Sequence, residues 1–230
     1  MKRSRILILI FAMLLCFTGC TRNSASGPSA AETTPVIQAD LPAQHTAAEL
    51  EQKGIVLTYI NTSDNRIEDI AGDFAGIPIE TDTDAMQAVA SLSDLLGCKD
   101  VYDELRIYSK SESSDFCHYF FVQYYKGVPI NSHRTILHVR ADSKRVVSLQ
   151  NSYFPNLSLS TEPDVSANAA KDAASAELPN HRFGTPELII RVEQETPHLI
   201  WYCCSDDNAT ADIDAHTGKV LYAFNGIYDD

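Results

Sequence analysis

A change of hydrophobic period, made twice along the chain, limits this sequence to mixed helix and sheet layers. Met86, Val89, Ala90, Leu92, Leu95 and Leu96 recur at the spacing of one helix face. Thr81, with Asp84 three residues on, reads as a capping box opening that helix, and Gly97 stops it. Ahead of it, Ile67 to Pro78 reads as short strand-like pieces broken by Gly72 and Gly76. After Gly97 the period shortens. Leu105/Ile107, Tyr119–Tyr125, Thr135–Ala141 and Arg145–Leu149 are strand-like runs, parted by turns such as Lys126-Gly127 and Asp142-Ser143. Pro155 to Pro163 is a connector, and then the pattern restarts. Asp164 or Ser166 caps an Ala-rich helix to about Leu178. Leu188–Val192, Leu199–Cys204, Ala209–Asp214 and Val220–Phe224 follow as strands, joined at Asp206-Asp207-Asn208 and His216-Thr217-Gly218. The expectation is an α+β fold of two consecutive small domains, residues 51–157 and 158–230. Each is a helix packed on a mostly antiparallel sheet of about four strands.

The first twenty residues read as an address. Lys2, Arg3 and Arg5 precede a nearly unbroken apolar run, Ile6 to Phe17. At about 12 residues it falls short of the ~20 that span a bilayer and has the length of a signal-peptide core. Its end, Leu15-Cys16-Phe17-Thr18-Gly19-Cys20, resembles the bacterial lipobox, although Phe17 is less usual there than Leu. The resemblance implies a lipoprotein signal over 1–19 and lipid attachment at Cys20. The chain would then be exported and anchored to the bacterial cell membrane, facing outside the cytoplasm. A plain secretory signal is the alternative. Thr21 to Pro42 is rich in Ser, Ala, Thr and Pro without hydrophobic period, so residues 20–50 are expected to be a flexible tether.

With Cys16 lost and Cys20 acylated, Cys98, Cys117, Cys203 and Cys204 remain. In an exported chain a Cys98–Cys117 bridge is a candidate, closing a loop of roughly 19 residues between helix and strand. Cys203 and Cys204, neighbours on a strand, point to opposite faces, and two free thiols are at least as expected as a strained bridge. No zinc-type Cys/His spacing is present, and no metal or cofactor is expected. Charge excludes more. Lys+Arg 18 against Asp+Glu 31 gives −13, and no basic cluster follows the N-terminus. Such a polyanion repels phosphate backbones, so no nucleic-acid partner is expected.

Several motifs resemble a known pair of domains. Ile67-Glu-Asp-Ile70, Gly72-Asp-Phe74 and the helix start at Asp84-Ala85 are similar to the opening of the fungalysin/thermolysin-type propeptide domain. Its strand-pair signature stands here as Gln123-Tyr-Tyr-Lys-Gly127-Val-Pro129-Ile130, continued by the Arg140–Ser148 hairpin. The second half resembles a PepSY domain, whose closing hairpin stands as Asp214-Ala-His-Thr217-Gly218-Lys-Val220. The resemblance covers roughly residues 55–225. It implies cystatin-like layers and a scaffold role for the motif residues. One departure is Asn131-Ser-His133-Arg134, where the family usually has small residues. The other is the lack of His-Glu-x-x-His, the two-His helix face and Glu base of zinc proteolysis, so the chain is not expected to be the protease or an enzyme.

Other groups have ordinary readings. Asp212, Asp214 and His216 alternate and could share a strand face as divalent-ion ligands, but a solvated strand end is the default. Cys117-His118 invites a thiol nucleophile, although strand neighbours face apart. His133, Arg134 and His138 form a basic spot expected to be exposed loop; Tyr119–Tyr125 and Trp201 are expected to be core. Two functions compete. By resemblance, the chain inhibits a secreted thermolysin-like zinc metalloprotease, or templates its folding, laying Asn225, Gly226, Ile227, Tyr228, Asp229 and Asp230 into the cleft. Alternatively it is a non-catalytic envelope module that binds a peptide or another exported protein by strand addition.

Overall fold

The computed structural model of the chain describes residues 47–60, 66–131, 134–193 and 196–227. The signal segment, Cys20, nearly all of the tether, His133 and Tyr228 to Asp230 lie outside the described residues. In chain order the first part comprises α1 (Ala47–Gln52), β1 (Val56–Ile60), β2 (Ile67–Ala71), α2 (Asp82–Ala90), α3 (Ser93–Leu96) and α4 (Val101–Glu104). Then come β3 (Leu105–Glu112), β4 (Phe116–Tyr125), β5 (Val128–Pro129), β6 (Thr135–Arg140) and β7 (Val146–Gln150). The second part holds α5 (Ala167–Glu177), β8 (Glu187–Glu193), β9 (Thr196–Cys204), β10 (Thr210–Asp214) and β11 (Val220–Phe224). The fold is α+β: two antiparallel sheets, each with helix on one face.

The first sheet runs β1-β2-β7-β6-β4-β3, with β5 paired to the end of β4. Strict alternation sorts β4: Cys117, Tyr119, Phe121 and Gln123 are buried, while Phe116, His118, Phe120 and Val122 are half-buried on the other face. The buried row joins Leu137, Val139, Leu149 and Ile70 against Ala85, Ala88, Val89, Leu92 and Leu95 of the helical layer. The expected capping box is present, with Thr81 Oγ1 accepting from the Asp84 amide and Asp84 accepting from the Thr81 amide. The single expected helix is two. Ser91 turns its hydroxyl back onto the Ala88 carbonyl at 2.7 Å, one of the side-chain bonds that compete with helical backbone. α3 then resumes at Ser93 and closes on Gly97 at φ 67.

The sheet is also larger than the expected four strands. Val56–Ile60 pairs with Ile67–Ala71, which pairs with β7, so a hairpin widens the sheet on that side. The helix that leads into it begins at Ala47, inside the segment assigned to the tether, and buries Leu50 and then Ile55 in the core. A buried polar knot holds this side together. Asn151 donates to the Ile67 carbonyl at 2.6 Å and accepts from the Tyr153 amide at 3.0 Å.

In the second part Ser166 caps α5 by accepting from the Ala169 amide. Ala170 and Ala174 let the helix approach Cys203, Ala211 and Ile213 closely, and Trp201 anchors it by donating to the Val165 carbonyl at 2.8 Å. Strand order is β11-β10-β9-β8. Val128 and Ile130 join the two halves, packing with Ile190, Leu199 and Ala215, while the Asn131 amide donates to the Ile190 carbonyl at 2.8 Å. Asn131, the first departure from the propeptide pattern, is thus a backbone tie to β8.

The cysteines correct one expectation. Cys98 and Cys117 are both buried and both free. Cys98 lies beside Tyr153 and Glu104, at the Gln123 end of β4, whereas Cys117 opens that strand. Six residues of strand rise, about 20 Å, separate Cys117 from Gln123, and a disulfide needs Cα atoms within ~7 Å. Burial pushes the Cys98 and Cys203 thiols up to about 11. Cys204, on the opposite face from Cys203, is exposed. Native-state alkylation is therefore expected to label Cys204 first and to reach Cys98, Cys117 and Cys203 only on unfolding, read by peptide mass spectrometry. Equal labelling of Cys98 and Cys204 in the native chain would contradict this packing.

Candidate functional site

The second sheet has β11 at one edge and β8 at the other, and β8 is bridged at Ile190 by Ile130. On the side away from β10, no strand pairs with residues 220–223 of β11 among the described residues. Leu221 and Tyr222 on this strand are 44% and 51% exposed, although both are large and apolar or aromatic. The strand leads straight into Asn225–Ile227. There Asn225 Oδ1 accepts from the Ile227 amide at 3.0 Å, making a tight turn. Gly226 has φ 78 and lies so close to the turn at Asp207 that an added Cβ would stand 2.6 Å from the Asp207 carbonyl oxygen. The glycine therefore presses the tail against the sheet end, and Ile227 emerges 65% exposed. Of the six residues expected to contact a protease cleft, Asn225, Gly226 and Ile227 continue this edge; Tyr228, Asp229 and Asp230 lie outside the described residues.

The acidic positions nearby do not converge. Asp212 is buried, not solvated: Arg191 Nε approaches Asp212 Oδ2 at 2.8 Å and Nη2 approaches Oδ1 at 3.1 Å. Burial pushes the Asp212 carboxyl above its ordinary range in spite of that guanidinium. Asp214 is spent on the turn, accepting from the His216 and Thr217 amides at 3.0 and 2.7 Å and from the Thr217 hydroxyl at 2.8 Å. Burial works against the Asp214 charge, but these bonds hold its carboxyl below the usual value. His216 turns away to Asp164, 2.8 Å from its Oδ2. Among the described residues no three His, Cys, Asp or Glu side chains stand as metal ligands would.

Cys117 and His118 face apart, as alternation requires, so no thiol–imidazole pair forms. His118 instead meets His138 across the β4–β6 register, Nδ1 to Nδ1 at 2.8 Å. At that distance one nitrogen donates and the other accepts, which leaves room for a single proton between them. Burial, and then His118, pushes His138 below its ordinary value, with Asp69 opposing. His138 is thus part of a strand and not of an exposed loop, and Trp201 is half-buried against α5. Neither the histidine pair nor the Arg191–Asp212 pair was read from the sequence. The available signals were one Arg within the apolar run Leu188–Val192 and two histidines at alternate positions of strand-like runs; pairing them needed the register.

No helix among the described residues is long and apolar enough to cross a membrane. No protein-family model matches the chain, and no curated protein matches it either. Among solved structures, the chain is similar to the Bacillus megaterium YpeB C-terminal domain. The two share 15% sequence identity at a TM-score of 0.38, over 74% of this chain and 87% of that one. At that score the likeness carries no argument about function, which rests on the edge strand and its tail.

Proposed function

We propose that the chain is a non-catalytic binding protein, tethered to the cell membrane by a lipid on Cys20, that acts as a stand-alone relative of a protease propeptide. On this reading it inhibits a secreted thermolysin-like metalloprotease or templates its folding. The observation that carries it is β11, an open edge at residues 220–223 with Leu221 and Tyr222 exposed, running directly into Asn225–Ile227. An open edge supplies main-chain hydrogen bonds to a partner's strand, and the exposed Leu221 and Tyr222, one on each face of the strand, supply apolar contacts. The propeptide and PepSY motifs favour a protease as that partner. In this role the chain performs no bond chemistry; it acts through surface complementarity alone.

The test is deletion of residues 225–230, assayed for inhibition of a thermolysin-like protease. Potency is expected to fall at least tenfold, or about 1.4 kcal/mol of lost contact. Unchanged potency in the deleted chain would remove the tail from the contact surface. The strand-addition envelope module uses the same edge. It predicts capture of a peptide or exported protein with no metalloprotease among the partners.

A further inference from the structure

The face of the first sheet turned away from the helices is chemically unlike the rest of this acidic chain. Along β6 the positions on this face are Arg134, just before the strand, then Ile136, His138 and Arg140. Across the register, Phe116 faces Arg140, His118 faces His138 and Phe120 faces Ile136. Arg106 of β3 pairs with Val122 and lies over the Tyr124 ring at 4.0 Å. Arg134 lies over Tyr108 at 4.6 Å and Arg140 over Phe116 at 5.5 Å. All three arginines are exposed, and none forms a direct ion pair with a carboxylate among the described residues. The carboxylates felt on this face are Asp69, beside His138, and Asp142, whose charge Arg140 favours. With net charge −13 overall, this is a local reversal of sign.

The geometry fits one kind of occupant. Arg134 and Arg140 are six strand residues apart, about 20 Å, and between them runs a floor of Phe116, His118, Phe120 and Ile136. A guanidinium held over a ring is oriented, less hydrated than an ammonium and ready for bidentate carboxylate binding. Single-stranded nucleic acid also favours aromatic, basic sheets. Its charge at every residue, however, would meet three arginines on a polyanion, and a peptide with few, spaced carboxylates meets far less repulsion.

We propose that this face binds an extended polypeptide segment bearing carboxylates about six residues apart, with apolar side chains between them. The site is separate from the β11 edge and stands or falls independently of the protease reading. The test uses the full chain and a fluorescein-labelled heptapeptide, Glu-Thr-Leu-Thr-Leu-Thr-Glu, whose Glu and Leu side chains share one face of an extended strand, followed by anisotropy. Saturable binding is expected, weakened about tenfold when both Glu are replaced by Gln, and weakened similarly by R106Q or R140Q. Both substituted positions are exposed, and circular dichroism checks that the variants fold. L221S, on the other edge, should bind the heptapeptide unchanged. Equal binding of the Glu and Gln peptides, or none at about 1 mM, would overturn the proposal. So would tighter binding of a dT7 oligonucleotide. Self-association that R106Q and R140Q abolish would instead assign the face to a second copy of the chain.

Discussion

Replacing Arg191 with methionine is expected to lower the stability of the folded chain by about 3 kcal/mol at neutral pH, the low end for breaking a buried ion pair. The low end applies because the partners are unequally buried: the Arg191 side chain is 30% exposed, that of Asp212 only 3%. Methionine preserves most of the aliphatic stem, so the loss is chiefly the counter-charge. The Asp212 carboxyl is already raised by burial, and without Arg191 it rises further. A carboxyl whose folded value lies above its unfolded one contributes stability that is present below the unfolded value, near 3.9, and lost as pH rises through the folded one. The R191M chain should therefore regain stability relative to the unsubstituted chain as pH is lowered. The double variant R191M/D212L removes both charges and should recover most of the loss. Urea unfolding at several pH values measures all three chains. Equal cost for the single and double variants would show that packing, not the pair, holds this face of the sheet.

Gly72→Ala is the second large effect. Gly72 has φ 119, a region closed to residues with a Cβ, and an added Cβ would stand 1.8 Å from the Gly54 carbonyl oxygen. Both colliding groups belong to backbone, so no rotamer change relieves them. The loop after α1 must move, and with it Leu50 and Ile55, which are buried in the core on either side of Gly54. Strained backbone costs ~1–3 kcal/mol and partial exposure of those two side chains a similar amount, so about 3 kcal/mol or more is expected. Gly76→Ala is the control. Its φ is also positive, at 68, but nothing lies within 4 Å of an added Cβ, and a cost of about 1 kcal/mol is expected. Matching denaturation midpoints for the two variants would mean that the Gly54 contact is not what seats the first hairpin.

The elements most legible in sequence were those whose signals are local. Thr81 with Asp84 is a capping box because both bonds close within four residues, and the Lys126-Gly127 turn has positive φ at both residues, as a tight hairpin requires. Two residues of the recognised motifs gain a physical role. Gln123 clamps the connector, donating to the Phe154 carbonyl at 2.9 Å and accepting from its amide at 2.8 Å. Asp214 organises the last hairpin through Thr217. What escaped depends on partners distant in the chain. Val56–Ile60 is an apolar run whose place in the sheet is set by β2, and the Cys98–Cys117 bridge looked plausible because loop length says nothing about which end of β4 each thiol occupies. The sheet face with Arg106, Arg134 and Arg140 is invisible without the register, since the three fall in separate segments of an acidic sequence.

The most direct test of the proposed function is to titrate a thermolysin-like metalloprotease with the full chain and follow hydrolysis of a peptide substrate. The account predicts saturable, one-to-one inhibition that the chain lacking residues 225–230 does not reproduce. No inhibition at any concentration, together with no rescue of an unfolded protease deprived of its own propeptide, would contradict it.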